Sequence, residues 1–384
     1  MTAASGALRK STANSALLAL ILTLALAAPA VADEIDVRLL SNPAITEARL
    51  LAPGGRLVDA TGRSVDAAAC RLRLRSEKAA IVCGDEGALT SPVTLEQNGA
   101  PLFELDVNGQ RRRYPGRLKL IRTADGLAPI LTIDLEQYVA GVIVAETEND
   151  HDEYFKAMAI CARSFAVHHL RRRRGPLADH TAGQSFRGLP DNARVKRATQ
   201  AAEATRGQVL RVNGEPAPAY YHACCGGRTR DVREVWPDAP AYAHLRGVAD
   251  RNENGQAWCR DNRWFSWQRK IPADDFRAFL RERYRAEQAQ RESETAPVTL
   301  LDADRRRTVD PWRFRRALGR RLGWNLAPSD RFVIAGQDAA VVLTGHGFGH
   351  RVGLCQAGAL AQARAGRTAE QILNFYFPGA SLNP

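Results

Sequence analysis

Leu343 to Pro378 reads LTGHGFGHRVGLCQAGALAQARAGRTAEQILNFYFP, and it dictates more local structure than any other stretch of the chain. Gly345, His346, Gly347, Phe348, Gly349, His350 and Gly353 make a loop that presents backbone amides and two imidazoles together, because four of these seven positions carry no side chain. Leu354 to Arg364 then favours helix, Gly366, Arg367 and Thr368 interrupt it, and Ala369 to Tyr376 predicts a second short amphipathic helix. A glycine-rich loop feeding a helix N-terminus suits a polar or anionic group, although the same composition also makes plain tight turns.

Residues 1–32 read as a secretory signal peptide: Arg9 and Lys10, an apolar run from Ala16 to Ala28, and small residues at Ala30-Val31-Ala32. No later stretch approaches the roughly 18 apolar residues of a membrane span. An exported chain without a transmembrane segment in its mature part is expected, periplasmic or associated with the cell wall. The formal charge of +12 falls by two when Arg9 and Lys10 are removed, and the remaining excess suits an acidic wall polymer better than nucleic acid, which an exported protein does not meet.

Export also places the seven cysteines in an oxidising compartment. Cys70 and Cys83 flank RLRLRSEKAAIV, which alternates and turns like a hairpin, so that pair is expected to bridge. Cys161, Cys224, Cys225, Cys259 and Cys355 are further disulfide candidates whose pairing spacing does not decide. There is no C-x-x-C motif, and neighbours such as Cys224 and Cys225 do not easily face one metal, so no structural zinc and no cofactor are expected.

Short alternating runs bounded by Gly, Asp, Asn and Pro fill residues 33–130 and predict a small β-rich region. From Leu131 the character changes, and residues 131–384 are expected to form the main domain. Leu135, Tyr138, Val139 and Val142 recur at helical spacing behind a possible Asp134 cap, with Gly141 and the β-branched Val142, Ile143 and Val144 weakening the helix before Glu146. Tyr154 to Leu170 is the clearest helix, stopped by Gly175-Pro176. Ala193 to Ala204 predicts another helix, Gln208 to Val212 and Ala217 to His222 a hairpin about Asn213-Gly214, and Ile271 to Gln288 a surface helix. Four of the six tryptophans, Trp236, Trp258, Trp264 and Trp267, fall between Cys224 and Trp267, where they could stack on sugars or simply anchor a long loop.

Several polar residues are placed for chemistry. Glu146 follows an apolar run that ties its backbone to the core, which suits a carboxyl whose pKa is lifted by burial, and equally a capping carboxylate. Arg163 and Ser164 interrupt the apolar face of the long helix; a guanidinium there needs a carboxylate or backbone carbonyls, from a substrate or from the protein itself. Gln184 lies in the polar loop DHTAGQSFRG, and His222 ends a strand before Gly226-Gly227.

The runs LEQYVAGVIVAE, KAMAICARSFAVHH, DHTAGQSFRG, AAEATRGQVLRVNGEPAPAYYHACCGGRT and GHGFGHRVGLCQAGALAQARAGRTAEQILNFYFPG stand in that order between Leu131 and Gly379. Together they resemble the domain shared by stage II sporulation protein D and the LytB amidase enhancer. The resemblance implies an α+β fold, with mixed helices and short antiparallel sheets around a central cleft, and action on peptidoglycan. It implies Glu146 as the catalytic glutamate of a lytic transglycosylase, in which one carboxyl first protonates the glycosidic oxygen and then takes the proton of the muramic C6 hydroxyl, leaving 1,6-anhydromuramic ends. It places Arg163, Ser164, Gln184, His222, Gly226, Gly227, His346, His350 and Gln356 as substrate-binding candidates, with the His346–His350 loop forming the wall opposite Glu146. Some members carry zinc ligands in the block matching DHTAGQSFRG, but here His180 has no cysteine beside it. Cys161 replaces a small residue of the helix block and Cys355 the usual serine before Gln356, so a Cys161–Cys355 bridge is expected.

Two other functions fit the same residues. One is a non-catalytic glycan-strand binder that enhances a cell-wall amidase, for which a basic surface and a tryptophan-rich loop suffice. The other is a metal-dependent hydrolase built on His222, His346 and His350.

Overall fold

The alternating runs of the N-terminal region pair into two sheets in the computed structural model, which describes residues 33–383 apart from 41–43, 75–79, 85–86, 100, 173, 304 and 338. The expected signal peptide lies outside the described residues. One sheet is ordered Leu177–Ala178, Glu34–Arg38, Leu127–Asp134, Arg117–Arg122, Val93–Gln97, Gly55–Asp59 and Ser64–Asp66. The other is ordered Gln110–Pro115, Leu102–Val107, Glu47–Leu51, Cys70–Leu74, Ala80–Cys83 and Gly87–Thr90. Period-2 alternation places Ile35, Val37, Leu118 and Leu120 inside and their charged neighbours outside. The Cys70–Cys83 disulfide ties two adjacent strands of the second sheet, as the spacing predicts.

The expected boundary between 130 and 131 falls inside the strand Leu127–Asp134, which pairs Ile130 with Arg38 and Asp134 with Glu34. Val31–Pro384 forms one compact unit. Ile35, Leu118, Tyr138, Phe155 and Phe377 belong to a single apolar core, so the β-rich region shares its interior with the residues that follow.

Helix α1 (Leu135–Glu146) packs against the strands Leu127–Asp134 and Glu34–Arg38, and α2 (Asp152–Arg171) and α3 (Ala193–Ala204) pack against α1 and each other. Asp134 caps α1 by accepting from the Gln137 N–H at 2.9 Å. The helix runs through Gly141 and the β-branched residues to Glu146 because tertiary packing overrides their weak propensity. A Cβ on Gly141 would stand 2.3 Å from the Phe186 ring, and Val142 and Ile143 are fully buried.

Residues 267–345 hold a second core of Ile271, Phe276, Phe279, Leu280, Phe314, Leu318 and Phe332. Strands Trp267–Pro272, Phe332–Gln337 and Ala340–Gly345 form its sheet, with α4 (Ala273–Tyr284) and α5 (Pro311–Leu322) beside it. The helix expected over Ile271 to Gln288 is shorter: Pro272 ends a strand before it, and Arg285, at φ 51°, ends it in the left-handed region.

At Asn213-Gly214 the chain turns with φ of 52° and 78°, pairing Val212 with Glu215 and Arg211 with Pro216. The second expected hairpin strand does not persist to His222, since Pro216 and Pro218 have no N–H to donate. Tyr221–His222 instead pairs in parallel with Leu354–Cys355. That pairing brings the glycine-histidine loop and the following α6 (Gln356–Arg364) against the α1–α2 layer, and α7 (Ala369–Tyr376) closes the core behind a Thr368–Gln371 capping box. The whole is a mixed α/β architecture of several small, mostly antiparallel sheets and helices. No helix among the described residues is long and apolar enough to cross a membrane.

Candidate functional site

The last turn of α1, the 187–194 loop, the 252–264 loop and the first turns of α6 enclose a cleft of about 1090 Å³. Glu146 is the final residue of α1 and reaches it half-buried. Its Oε1 accepts the Ser185 backbone N–H at 2.7 Å. Burial raises the carboxyl above its ordinary pKa, against the lowering pull of the Ser185 hydrogen bonds and the Arg187 charge. The phenols of Tyr138 and Tyr221 are also pushed up, first by burial and then by the negative charge that Glu146 would carry beside them, and that of Tyr154 is raised by burial, with smaller contributions from Cys355 and Glu146. A carboxyl in this position keeps its proton to a higher pH than an exposed one while still facing the cleft.

Arg187, Arg194, Arg260, Arg263 and Arg364 also line the cleft. Two aromatic contacts stiffen it: Trp264 stacks on Phe348 with ring centroids 4.7 Å apart, and Arg367 lies 5.2 Å over the Trp258 ring. Nε1 of Trp258 and the Nε and Nη2 atoms of Arg194 are buried without a hydrogen-bond partner among the described residues. The arrangement combines cations for carboxylates, flat apolar faces for sugar rings and, in Glu146, a carboxyl whose pKa burial has raised.

Of the candidates read from sequence, Glu146 and Gln356 line this cleft. Gln356 points its Nε2 at the Glu146 carbonyl oxygen, 3.4 Å away. Gln184 lies behind Glu146, accepting from the Tyr138 hydroxyl at 3.2 Å and donating to that of Tyr221 at 3.0 Å.

Arg163 and Ser164 lie away from this cleft. Both are fully buried. Arg163 forms a forked ion pair with Glu136, Nε to Oε1 at 2.8 Å, and donates to the carbonyls of Ala202 and Gln208, tying α1, α2 and the end of α3 together. Ser164 bonds Ile160 in its own helix and the Leu210 N–H of the adjoining strand.

The histidines are turned away from the cleft as well. Phe348 pairs by its backbone with Cys224 and lines the cleft, whereas His346 and His350 do not line it: Gly347 and Gly349, at φ 81° and 97°, break the extended chain on either side of Phe348, so residues two apart no longer share a face. His346 pairs with Glu294, which Arg331 also engages. His350 packs among Tyr220, His222 and Trp236 with its pKa lowered to about 4, chiefly by burial and then by the Arg315 charge. His222 is buried, with Nδ1 against the Val352 carbonyl at 3.1 Å and its pKa far below the ordinary value. Among the described residues these three imidazoles do not form a metal-holding group: the His222 and His350 rings lie 5.7 Å apart, while His346 pairs with Glu294. Gly226 and Gly227 shape the chain instead: both have positive φ, and a Cβ on Gly226 would stand 2.9 Å from that of His346.

The expected Cys161–Cys355 bridge is absent; both thiols are free and buried. Cys161 is enclosed in α2. Cys355 meets Cys225, Cys259 and Asp250 at the base of α6, where Cys225 and Cys259 bring their sulfurs to 3.5 Å.

Polar spacing in DHTAGQSFRG signals that this loop is more than a linker, yet the roles of Ser185 and Arg187 depend on its fold over the end of α1. Arg194, on the first turn of α3, carries no mark in the sequence that separates it from a solvated helix residue.

Comparison with known proteins places these features in context. A family model described as stage II sporulation protein matches residues 123–211, the segment that carries Glu146, Arg163 and Gln184. An uncharacterized protein of Brachyspira hyodysenteriae is 28% identical over 282 residues, covering 70% of this chain and 72% of that one. Stage II sporulation protein D of Bacillus subtilis is 24% identical over 294 residues, covering 70% of this chain and 79% of its own. The amidase enhancer of Bacillus subtilis is 23% identical over 279 residues, covering 60% of this chain and 38% of that protein.

Proposed function

Because the chain belongs to the SpoIID/LytB-like family, which includes amidase-enhancer proteins, we propose that it is an exported cell-wall protein that holds a peptidoglycan glycan strand in the Glu146 cleft and thereby enhances a cell-wall amidase. The observation that carries this reading is the lining of the cleft, where arginines alternate with the aromatic faces of Trp258 and Trp264. Lactyl and stem-peptide carboxylates meet the guanidinium groups, and pyranose faces lie on the indoles. Likeness to a protein named amidase enhancer supports the choice of partner. The test is co-sedimentation of the mature protein with purified sacculi, together with the rate of a wall amidase with and without it. Binding with a raised amidase rate is expected, and an amidase rate unchanged at saturating protein refutes the enhancer role.

A second reading is favoured by one observation, the raised pKa of Glu146 at the cleft surface. In that reading Glu146 is a lytic transglycosylase acid/base. Its proton passes to the glycosidic oxygen as the C1–O bond breaks; its carboxylate then takes the proton of the muramic C6 hydroxyl, whose oxygen closes on C1. The proton returns to Glu146, no water is consumed, and one carboxyl suffices. Wild type and Glu146→Gln are incubated with strands stripped of stem peptides and the products searched for 1,6-anhydromuramic ends. Such ends from wild type alone establish cleavage; none from wild type leaves the binding role.

A further inference from the structure

Three stretches of the chain, around residues 225, 250–259 and 355, deliver four side chains to a buried point beneath α6. Cys225 follows the Tyr221–His222 strand, Asp250 and Cys259 bracket the 251–258 loop, and Cys355 caps the helix. The three sulfurs and one carboxylate oxygen all lie within 4.8 Å of one another, and every one of these residues is buried. Cys225 and Cys259 are 3.5 Å apart at sulfur, and Cys225 Sγ is 3.1 Å from Asp250 Oδ2. Tetrahedral zinc, with bonds of about 2.3 Å to sulfur and about 2.0 Å to oxygen, sets its donors about 3.5–3.8 Å apart. The four atoms therefore already stand near the corners such an ion requires.

The surroundings match a cation held by anionic donors. Tyr376 donates its hydroxyl to Asp250 Oδ1 at 2.7 Å, which fixes the carboxylate and leaves its other oxygen toward the sulfurs. Cys355 Sγ accepts the N–H of Cys225 at 3.2 Å and that of Gly358, in the first turn of α6, at 3.4 Å, so two backbone amides fix the position of this sulfur. Gly358 has no side chain where one would collide: a Cβ would stand 2.1 Å from the Tyr376 hydroxyl and 2.7 Å from Asp250 Oδ1. Cys224 belongs to the same thiol-rich wall, lying against Cys259 and Cys355.

We propose that Cys225, Asp250, Cys259 and Cys355 form a site for a thiophilic divalent cation of the zinc class, with Tyr376 orienting the carboxylate. All four coordination positions are filled by protein, so the ion is structural. Loading displaces the protons of the three thiols. The ion fastens together the three segments that carry Ala223, Trp258 and Gln356, which line the cleft.

The experiment uses the mature protein isolated from the exported fraction without reductant or chelator. Metal is measured by elemental mass spectrometry, disulfides by non-reducing peptide mapping, and thiols by labelling before and after chelation, with Co(II) as a spectroscopic probe. About one zinc per chain is expected, with thiols that react only after chelation and a thiolate-to-metal charge-transfer band on cobalt loading. Cys225→Ser and Cys259→Ser should lose the metal, and Cys161→Ser, outside the cluster, should keep it; circular dichroism checks that each variant is folded. The proposal is overturned by a disulfide joining any two of Cys225, Cys259 and Cys355 in the exported protein. It is equally overturned if the reduced protein binds no zinc when zinc is supplied, or if both folded cluster variants retain it. The measurements on wild type decide the matter even if a variant fails to fold.

Discussion

Ser185 donates its backbone N–H to Oε1 of Glu146 across 2.7 Å, so a polar loop between α2 and α3 fixes the one cleft carboxyl whose pKa burial has raised. Gln at that position still accepts the same hydrogen bond but never ionises.

The first prediction follows from the sign of that shift. A carboxyl whose folded pKa exceeds its unfolded one contributes stability at low pH, and this is lost as pH rises through the folded value. Glu146→Gln should therefore match wild type in melting temperature below the ordinary carboxylate range and exceed it at neutral pH. Melting curves across a pH series check this, and a variant less stable than wild type at neutral pH contradicts it.

Removing the guanidinium of Arg163 leaves Glu136 charged and buried among three helices. Arg163→Met should cost about 3–5 kcal/mol in denaturant unfolding, whereas Arg163→Met combined with Glu136→Leu should recover much of that loss. Glycan binding per folded molecule should not change, because neither residue lines the cleft. A loss of affinity in folded Arg163→Met would return this arginine to the substrate.

Trp258 and Arg187 test the cleft as a glycan groove. Trp258→Ala should weaken strand binding about tenfold, equivalent to about 1.4 kcal/mol. Arg187→Ala should weaken it by a smaller factor and reduce its dependence on salt, since an exposed arginine acts through screened charge. Equilibrium binding to labelled strands at two ionic strengths separates the two effects, and unchanged affinity in both variants removes the strand from this cleft.

His350 supplies a prediction in the acid range. It faces His222, Arg315, Arg351 and Asp330, and its pKa is lowered to about 4. A depressed base favours the folded state above its unfolded pKa, near 6.5, and that contribution is lost as pH falls toward 4. Wild type should lose stability across this window, and His350→Phe should lose less. Strand binding at neutral pH should change less than about twofold in His346→Ala and His350→Ala, because both side chains point away from the cleft.

Local rules sufficed where the governing contact is close in sequence. Asp134 caps α1, Asn213-Gly214 turns a hairpin and Cys70 reaches Cys83 because each depends on neighbours within a few residues or one hairpin. The partner of Arg163 was readable only as a requirement, a carboxylate or carbonyls, since Glu136 lies 27 positions away on another helix. The glycine-histidine loop was legible as a wall of a site but not in its orientation: left-handed turns of the backbone at Gly347 and Gly349 let the phenylalanine, and not the histidines, meet the cleft. The core of residues 267–345 escaped because its strands pair across as many as 78 positions, as Trp267 does with Gly345, and its pattern was broken by charged stretches.

The parallel pairing of Tyr221–His222 with Leu354–Cys355 carries a consequence for the order in which the cleft assembles. The segment bearing Gln356, Ala357 and Leu360 joins the cleft only when the chain has closed a loop of about 130 residues onto His222. Helix α1 can form around Glu146 from contacts nearby in sequence, but the groove in front of that carboxyl waits for a long-range closure, which makes it a late product of folding.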